Sequence, residues 1–146
     1  HDPEVLIETY IQGTEITGGV IGNDSLEALP LVEIIPDPKR EFFDYTAKYT
    51  PGVTEEICPA RIDSELTAEA QRLALQAHRT LFCRGYSRTD MMVRDREVFI
   101  LETNTIPGMT ATSLLPRAAC TAGLSFTRLL DRLIELSLEG RQARDE

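Results

Sequence analysis

The chain has 146 residues, 42% of them apolar, with 24 acidic against 15 basic side chains and a formal net charge of −9. That supplies one core for one domain, and the negative balance argues against nucleic acid as the main partner, because phosphate binding needs a basic face. No apolar run approaches the roughly twenty residues of a membrane span, and the start lacks the basic-then-apolar pattern of a signal peptide, so a soluble, cytoplasmic protein is expected.

His1-Asp2-Pro3 carries no initiator methionine and runs straight into Val5-Leu6-Ile7, so the chain reads as cut from a longer polypeptide. Residues 4–12 read as a strand, Gln12-Gly13 as a turn and Glu15 to Ile21 as a second strand, making a hairpin. Leu29 to Ile35 reads as a third strand, ended by Pro36-Asp37-Pro38, and Lys39 to Gly52 as an aromatic and polar loop of the length that often carries function. Val53 to Cys58 reads as extended, closed by Pro59. Ala70, Leu73, Ala74, Ala77, Leu81 and Phe82 recur at helical spacing behind a Thr67 N-cap, predicting a helix that ends near Gly85. Tyr86 to Val93 and Glu97 to Leu101 read as strands joined by Arg94-Asp95-Arg96. A helix is expected over Leu114 to Ala122. Ser125 caps a last helix with a stripe of Phe126, Leu129, Leu130, Leu133, Ile134 and Leu138, stopped by Gly140 before a frayed tail. Short links predict an α/β (α+β) domain with a mostly antiparallel sheet. Cys58, Cys83 and Cys120 have no metal-ligand spacing and read as reduced packing residues, and His78 as structural.

Ser87 to Ser113 holds the polar groups of greatest interest. Arg88 and Asp90 are two apart on one strand, as are Glu102 and Asn104 after the next turn, so each pair shares a side, and pairing of the strands would put all four on one face. Asp90, Glu102 and Asn104 are three oxygen donors of the kind a hard cation such as magnesium takes, and an arginine beside them suits an anionic substrate or developing negative charge. An ordinary solvated face with ion pairs is equally open from spacing alone. After them, Thr105 to Thr110 makes a tight loop before Ser113 at a helix start. Exposed N–H groups there suit an anion, and plain N-capping by Ser113 is the alternative.

Glu102-Thr103-Asn104-Thr105-Ile106-Pro107-Gly108-Met109-Thr110, followed by Ser113-Leu114-Leu115-Pro116, resembles the E-x-N-T-x-P-G-M-T-x-x-S-L-x-P signature of D-alanine–D-alanine ligases. Gly85 to Asp90 resembles that family's G-x-x-R-x-D strand, and Phe43 to Tyr49 its Y-D-Y-x-x-K-Y loop with Phe43 first. Gly13 to Thr17 is similar to its G-x-E-hydrophobic-T hairpin, and Cys58-Pro59-Ala60 also recurs. The likeness runs in order from residue 4 to about 138.

The resemblance implies the carboxy-terminal subdomain of an ATP-grasp ligase over residues 1–146, a mostly antiparallel sheet flanked by helices, without the amino-terminal domain and central lobe. ATP would phosphorylate one D-alanine to an acyl phosphate, which the amine of a second attacks, in peptidoglycan precursor synthesis. It implies that Asp90, Glu102 and Asn104 ligate two magnesium ions, manganese being an acceptable substitute, and that Arg88 and the Gly108 backbone stabilise the oxyanion. Ser113 and Leu114 would take the acceptor carboxylate, and Lys48 would contact phosphate. Glu8, Tyr10 and Ile11 would line adenine, with Phe42 and Leu101 packing on its faces, although core packing is an alternative for the apolar ones. Glu15 would hold the ribose. Tyr49 stands where dipeptide-forming ligases carry tyrosine, which favours D-alanine over D-lactate as acceptor. Thr9 departs from the lysine of many relatives, which puts a side-chain contact in doubt. The full-length enzyme is expected to be a homodimer and the chain alone inactive. Two other readings are a non-catalytic nucleotide- or partner-binding module and a D-alanine–D-lactate-type ligase.

Overall fold

The computed structural model describes residues 4–36 and 54–142. Its elements are β1 (Thr14–Gly22), β2 (Leu26–Ala28), β3 (Val32–Pro36), β4 (Thr54–Ile57), α1 (Ser64–Thr80), β5 (Gly85–Arg94), β6 (Glu97–Asn104), α2 (Leu114–Thr121) and α3 (Phe126–Gln142).

β1 is the hub of the sheet. β5 pairs with its whole length, from Thr14 opposite Val93 to Gly22 opposite Gly85. Its other edge is shared by β3, opposite Glu15 to Thr17, and β2, opposite Val20 to Gly22. β4 extends the sheet beyond β3 and β6 beyond β5, giving the order β4-β3-β1-β5-β6, with every pairing antiparallel. Because both edges of β1 are taken, the hairpin expected between residues 4–12 and β1 does not form. Residues 4–12 have no regular structure, and Val5, Leu6, Ile7 and Tyr10 are exposed. The strand expected over Leu29–Ile35 is split as well. Pro30 has no N–H for the ladder. Pairing lapses between Ala28 and Val32, while the Leu29 N–H still donates to the Gly19 carbonyl at 2.9 Å.

Alternation along the strands makes two cores, one on each face of the sheet. Ile16, Val20, Met91 and Val93 pack with Ala70 and Ala74 of α1. Ile21, Leu29 and Val32 pack with Leu115, Ala118 and Ala119 of α2 and Leu129 of α3. Adjacent glycines on β1 permit both approaches. A Cβ at Gly18 would lie 3.1 Å from the Ala74 Cβ, and one at Gly19 would lie 2.7 Å from Leu115 Cδ1.

Helix α1 begins earlier than its periodicity suggests. Asp63 is the N-cap, its Oδ1 accepting the Leu66 N–H at 3.0 Å, while Thr67 lies inside the helix with its hydroxyl on the Asp63 carbonyl. The helix stops at Thr80, so Leu81 and Phe82 leave the expected stripe and are exposed, with Phe82 at φ 54°. His78 is buried, its Nδ1 2.8 Å from Ser87 Oγ. In α3, Ser125 caps as expected, but the helix runs through Gly140, and Leu136 is buried where Ile134 and Leu138 are exposed. The inward side of α3 thus repeats from Leu129 to Leu136, a seven-residue step of two turns. Among the described residues no helix is long and apolar enough to cross a membrane.

Candidate active site

The register of β5 against both neighbours assembles the site. Asp90 stands opposite Thr17 on β1 and Glu102 on β6, and Arg88 stands opposite Gly19 and Asn104. The pleat therefore presents two rows on one face, Thr17-Asp90-Glu102 and Gly19-Arg88-Asn104, with Glu15-Met92-Phe99 as the next row along. The four polar residues that strand alternation paired two by two are brought together. Between Glu102 and Ile100 the register slips, leaving Leu101 without a partner opposite it on β5.

Asp90 is the centre of the network. Its Oδ1 accepts the Thr17 hydroxyl at 2.7 Å and Arg88 Nε at 2.8 Å, and its Oδ2 accepts Arg88 Nη2 at 2.7 Å and Asn104 Nδ2 at 3.4 Å. Asn104 Nδ2 also lies 3.2 Å from Glu102 Oε1. The Arg88 and Asp90 side chains are only 12% and 14% exposed, so this is no solvated surface pair. Burial pushes the Arg88 guanidinium toward a lower pKa. The hydrogen bond and charge of Asp90, with the charges of Glu102 and Glu15, outweigh burial and hold it above its ordinary value. Arg88 is a fixed cation.

The donor set fits a hard cation. Two carboxylates directly opposite on neighbouring strands repel, and Arg88 neutralises only one of them. Among the described residues no group of three or more His, Cys, Asp or Glu side chains is placed to hold a metal ion, so a cation here would need the Asn104 amide as its third donor. Its oxygen and nitrogen exchange by a flip of the side chain. With the oxygen turned inward, three oxygens would face one point, which is favourable only with a cation between them.

The loop from Thr105 leads to Ser113, the residue before α2. Ser113 makes no side-chain cap on its own helix. Its Oγ instead accepts the Thr110 N–H at 3.0 Å and lies 2.8 Å from Thr110 Oγ1. Ser113 is thus the N-cap by its backbone, its carbonyl accepting the Arg117 N–H at 3.0 Å, but its hydroxyl does not cap the first N–H groups of α2, which have no intrahelical acceptor and are of the kind that can take an anion. Gly108 sits against the same hydroxyl, since a Cβ there would be 3.0 Å from Ser113 Oγ. Leu115, two residues beyond the cap, packs on Gly19, the residue opposite Arg88, so the first turn of α2 lies over the row that contains the arginine.

Other expected residues are not gathered. Glu8 and Tyr10 are exposed and Ile11 half-buried on the irregular segment, away from any strand pairing. Leu101 lines a groove of about 370 Å³ between β6 and α1, with Leu73, Ala77 and Ile100 among its walls. Glu15 is in the row next to Asp90. Leu114 is half-buried beside the Leu115 contact. Phe42, Lys48 and Tyr49 lie outside the described residues. Thr17 and Thr110 stand in the motifs quoted from the sequence but carry no role there, although Thr17 shares the Glu15 side of its strand.

The family model described as D-ala D-ala ligase C-terminus matches residues 1–135. A D-alanine–D-alanine ligase of Syntrophobacter fumaroxidans is 66% identical over 139 residues, covering 95% of this chain and 45% of that protein. The crystal structure of the D-alanine–D-alanine ligase from Bacillus anthracis complexed with ATP superposes with a TM-score of 0.76 at 34% identity, covering 94% of this chain and 42% of that one. VanG, a D-Ala:D-Ser ligase from Enterococcus faecalis, superposes with a TM-score of 0.72 at 39% identity, covering 87% and 37%. The chain thus spans less than half the length of these relatives, and its sheet and helices are those of the ligases' ATP-grasp carboxy-terminal part. On sequence, architecture and the order of its motifs, the chain belongs to the D-ala D-ala ligase C-terminus family.

Proposed function

We propose that this chain is the carboxy-terminal catalytic part of a cytoplasmic ligase that joins two D-alanines, at the expense of ATP, for peptidoglycan precursors. The observation that carries the reading is the cross-strand register that sets Arg88, Asp90, Glu102 and Asn104 on one face beside the start of α2. Asp90, Glu102 and Asn104 would hold magnesium, which neutralises phosphate charge and aligns the transferred group. Arg88, a permanent guanidinium largely shielded from water, donates hydrogen bonds where negative charge develops on the reacting carboxyl carbon's oxygen. The Gly108 backbone supplies a second donor. The N–H groups at the head of α2, with the Ser113 hydroxyl, orient the acceptor carboxylate. Glu15, in the neighbouring row, would hold ribose hydroxyls. Tyr49 favours D-alanine as acceptor, and Lys48, Phe42, Leu101, Glu8, Tyr10 and Ile11 retain their nucleotide roles within this reading.

The test is a chimera in which this chain replaces the matching part of the Syntrophobacter fumaroxidans ligase, with phosphate release measured on ATP, magnesium and D-alanine. D-alanine-dependent release is expected. Glu102→Gln and Arg88→Gln should each lower kcat by about a hundredfold with the fold intact. A folded chimera without D-alanine-dependent turnover would reject the reading. Parallel assays with D-serine and D-lactate test the acceptor assignment, because the likeness to a D-Ala:D-Ser ligase leaves the fold compatible with other acceptors.

A further inference from the structure

The geometry points to Thr17 as a positioning residue for the cation site, one that aims the Asp90 carboxylate without cancelling its charge. The inference rests on the reading of Asp90 as a cation ligand. Thr17 lies on the central strand directly opposite Asp90, is 2% exposed, and gives its hydroxyl hydrogen to Asp90 Oδ1 over 2.7 Å, with the Thr89 carbonyl at a longer 3.3 Å. A buried strand position of this kind ordinarily favours valine, which has the same shape and no polar atom to desolvate. The hydroxyl is therefore matched to the carboxylate beside it.

The other close donor to Asp90 is Arg88, and the two donors differ in charge. Arg88 forks onto both oxygens and neutralises the carboxylate, competing with any cation. Thr17 is neutral and held by a strand paired on both edges, so it fixes the orientation of Oδ1 while leaving the negative charge available. When Arg88 turns to an anionic substrate, Thr17 is the donor that keeps Asp90 in place.

The experiment measures Mn2+ binding to the 146-residue chain from the electron paramagnetic resonance signal of free Mn2+, with thermal midpoints by circular dichroism. Thr17→Val should weaken Mn2+ binding about tenfold, as loss of a supporting partner does at metal sites, while Thr17→Ser, which keeps the hydroxyl and loses the methyl, should bind within about twofold of wild type. A purely structural threonine gives the opposite pattern, with Mn2+ affinity unmoved in both variants and the serine variant the less stable. Asp90→Asn separates the two claims. Binding lost in Asp90→Asn but unchanged in Thr17→Val overturns the role of Thr17 alone. Binding absent from the wild type, or unchanged in Asp90→Asn, overturns the cation reading and this inference with it.

Discussion

At Glu33 a carboxylate is buried and kept charged by one neighbour. Arg61 reaches it with Nε at 3.0 Å, Nη2 at 2.9 Å and its backbone N–H at 3.0 Å. The arginine side chain is 61% exposed, which screens the pair, yet the hydrogen bonds from Arg61 hold the Glu33 pKa below its ordinary 4.5, against the opposing effect of burial. A carboxyl group whose folded pKa is lowered stabilises the fold above its unfolded pKa and loses that contribution as pH falls through the folded one. Glu33→Gln should therefore cost about 1–2 kcal/mol in urea unfolding near pH 7. The difference from wild type should shrink as pH drops below about 4.5. A difference that stays constant down to pH 3 would show that the charge is immaterial there.

The glycine pair of β1 decides how the elements meet. Gly18 and Gly19 face opposite sides of the sheet, and each admits a helix at near-contact distance. Gly19→Ala puts a methyl against Leu115 Cδ1, where α2 sits on the row containing Arg88. We expect a loss of about 1–3 kcal/mol by overpacking. We also expect displacement of the Ser113 end of α2, seen as amide chemical-shift changes from Thr110 to Leu115 and a raised acceptor KM in the ligase chimera. An unperturbed α2 start would refute the coupling of helix seat to site. Element types were largely legible from periodicity, because β5, β6, α2 and α3 keep their patterns over many residues. The misses have particular causes: Asp63 outcompeted Thr67 as a cap by reaching the Leu66 N–H, Pro30 split a strand, and the segment 4–12 had strand composition but no free edge of β1 to join.

In the whole molecule, β1 contributes Ile16 and Val20 to the core under α1 and Ile21 to the core under α2 and α3. Neither core can be dismantled while the other keeps the shared strand, so the described domain should unfold in one transition, with equal calorimetric and van't Hoff enthalpies. Two separable transitions would show that the faces fold independently. The chain's own pattern determined that it is an α/β domain with an antiparallel sheet, that Arg88 and Asp90 share a side, that Glu102 and Asn104 share a side, and which family its motifs resemble. Alternation with period two is a local property of the backbone and needs no partner. Only the tertiary structure decided that Asp90 meets Glu102 and Thr17, that Arg88 meets Asn104, and that α2 begins beside them. Those meetings depend on register between strands up to 73 residues apart and on which edges of β1 were still free, and neither is written in any one segment.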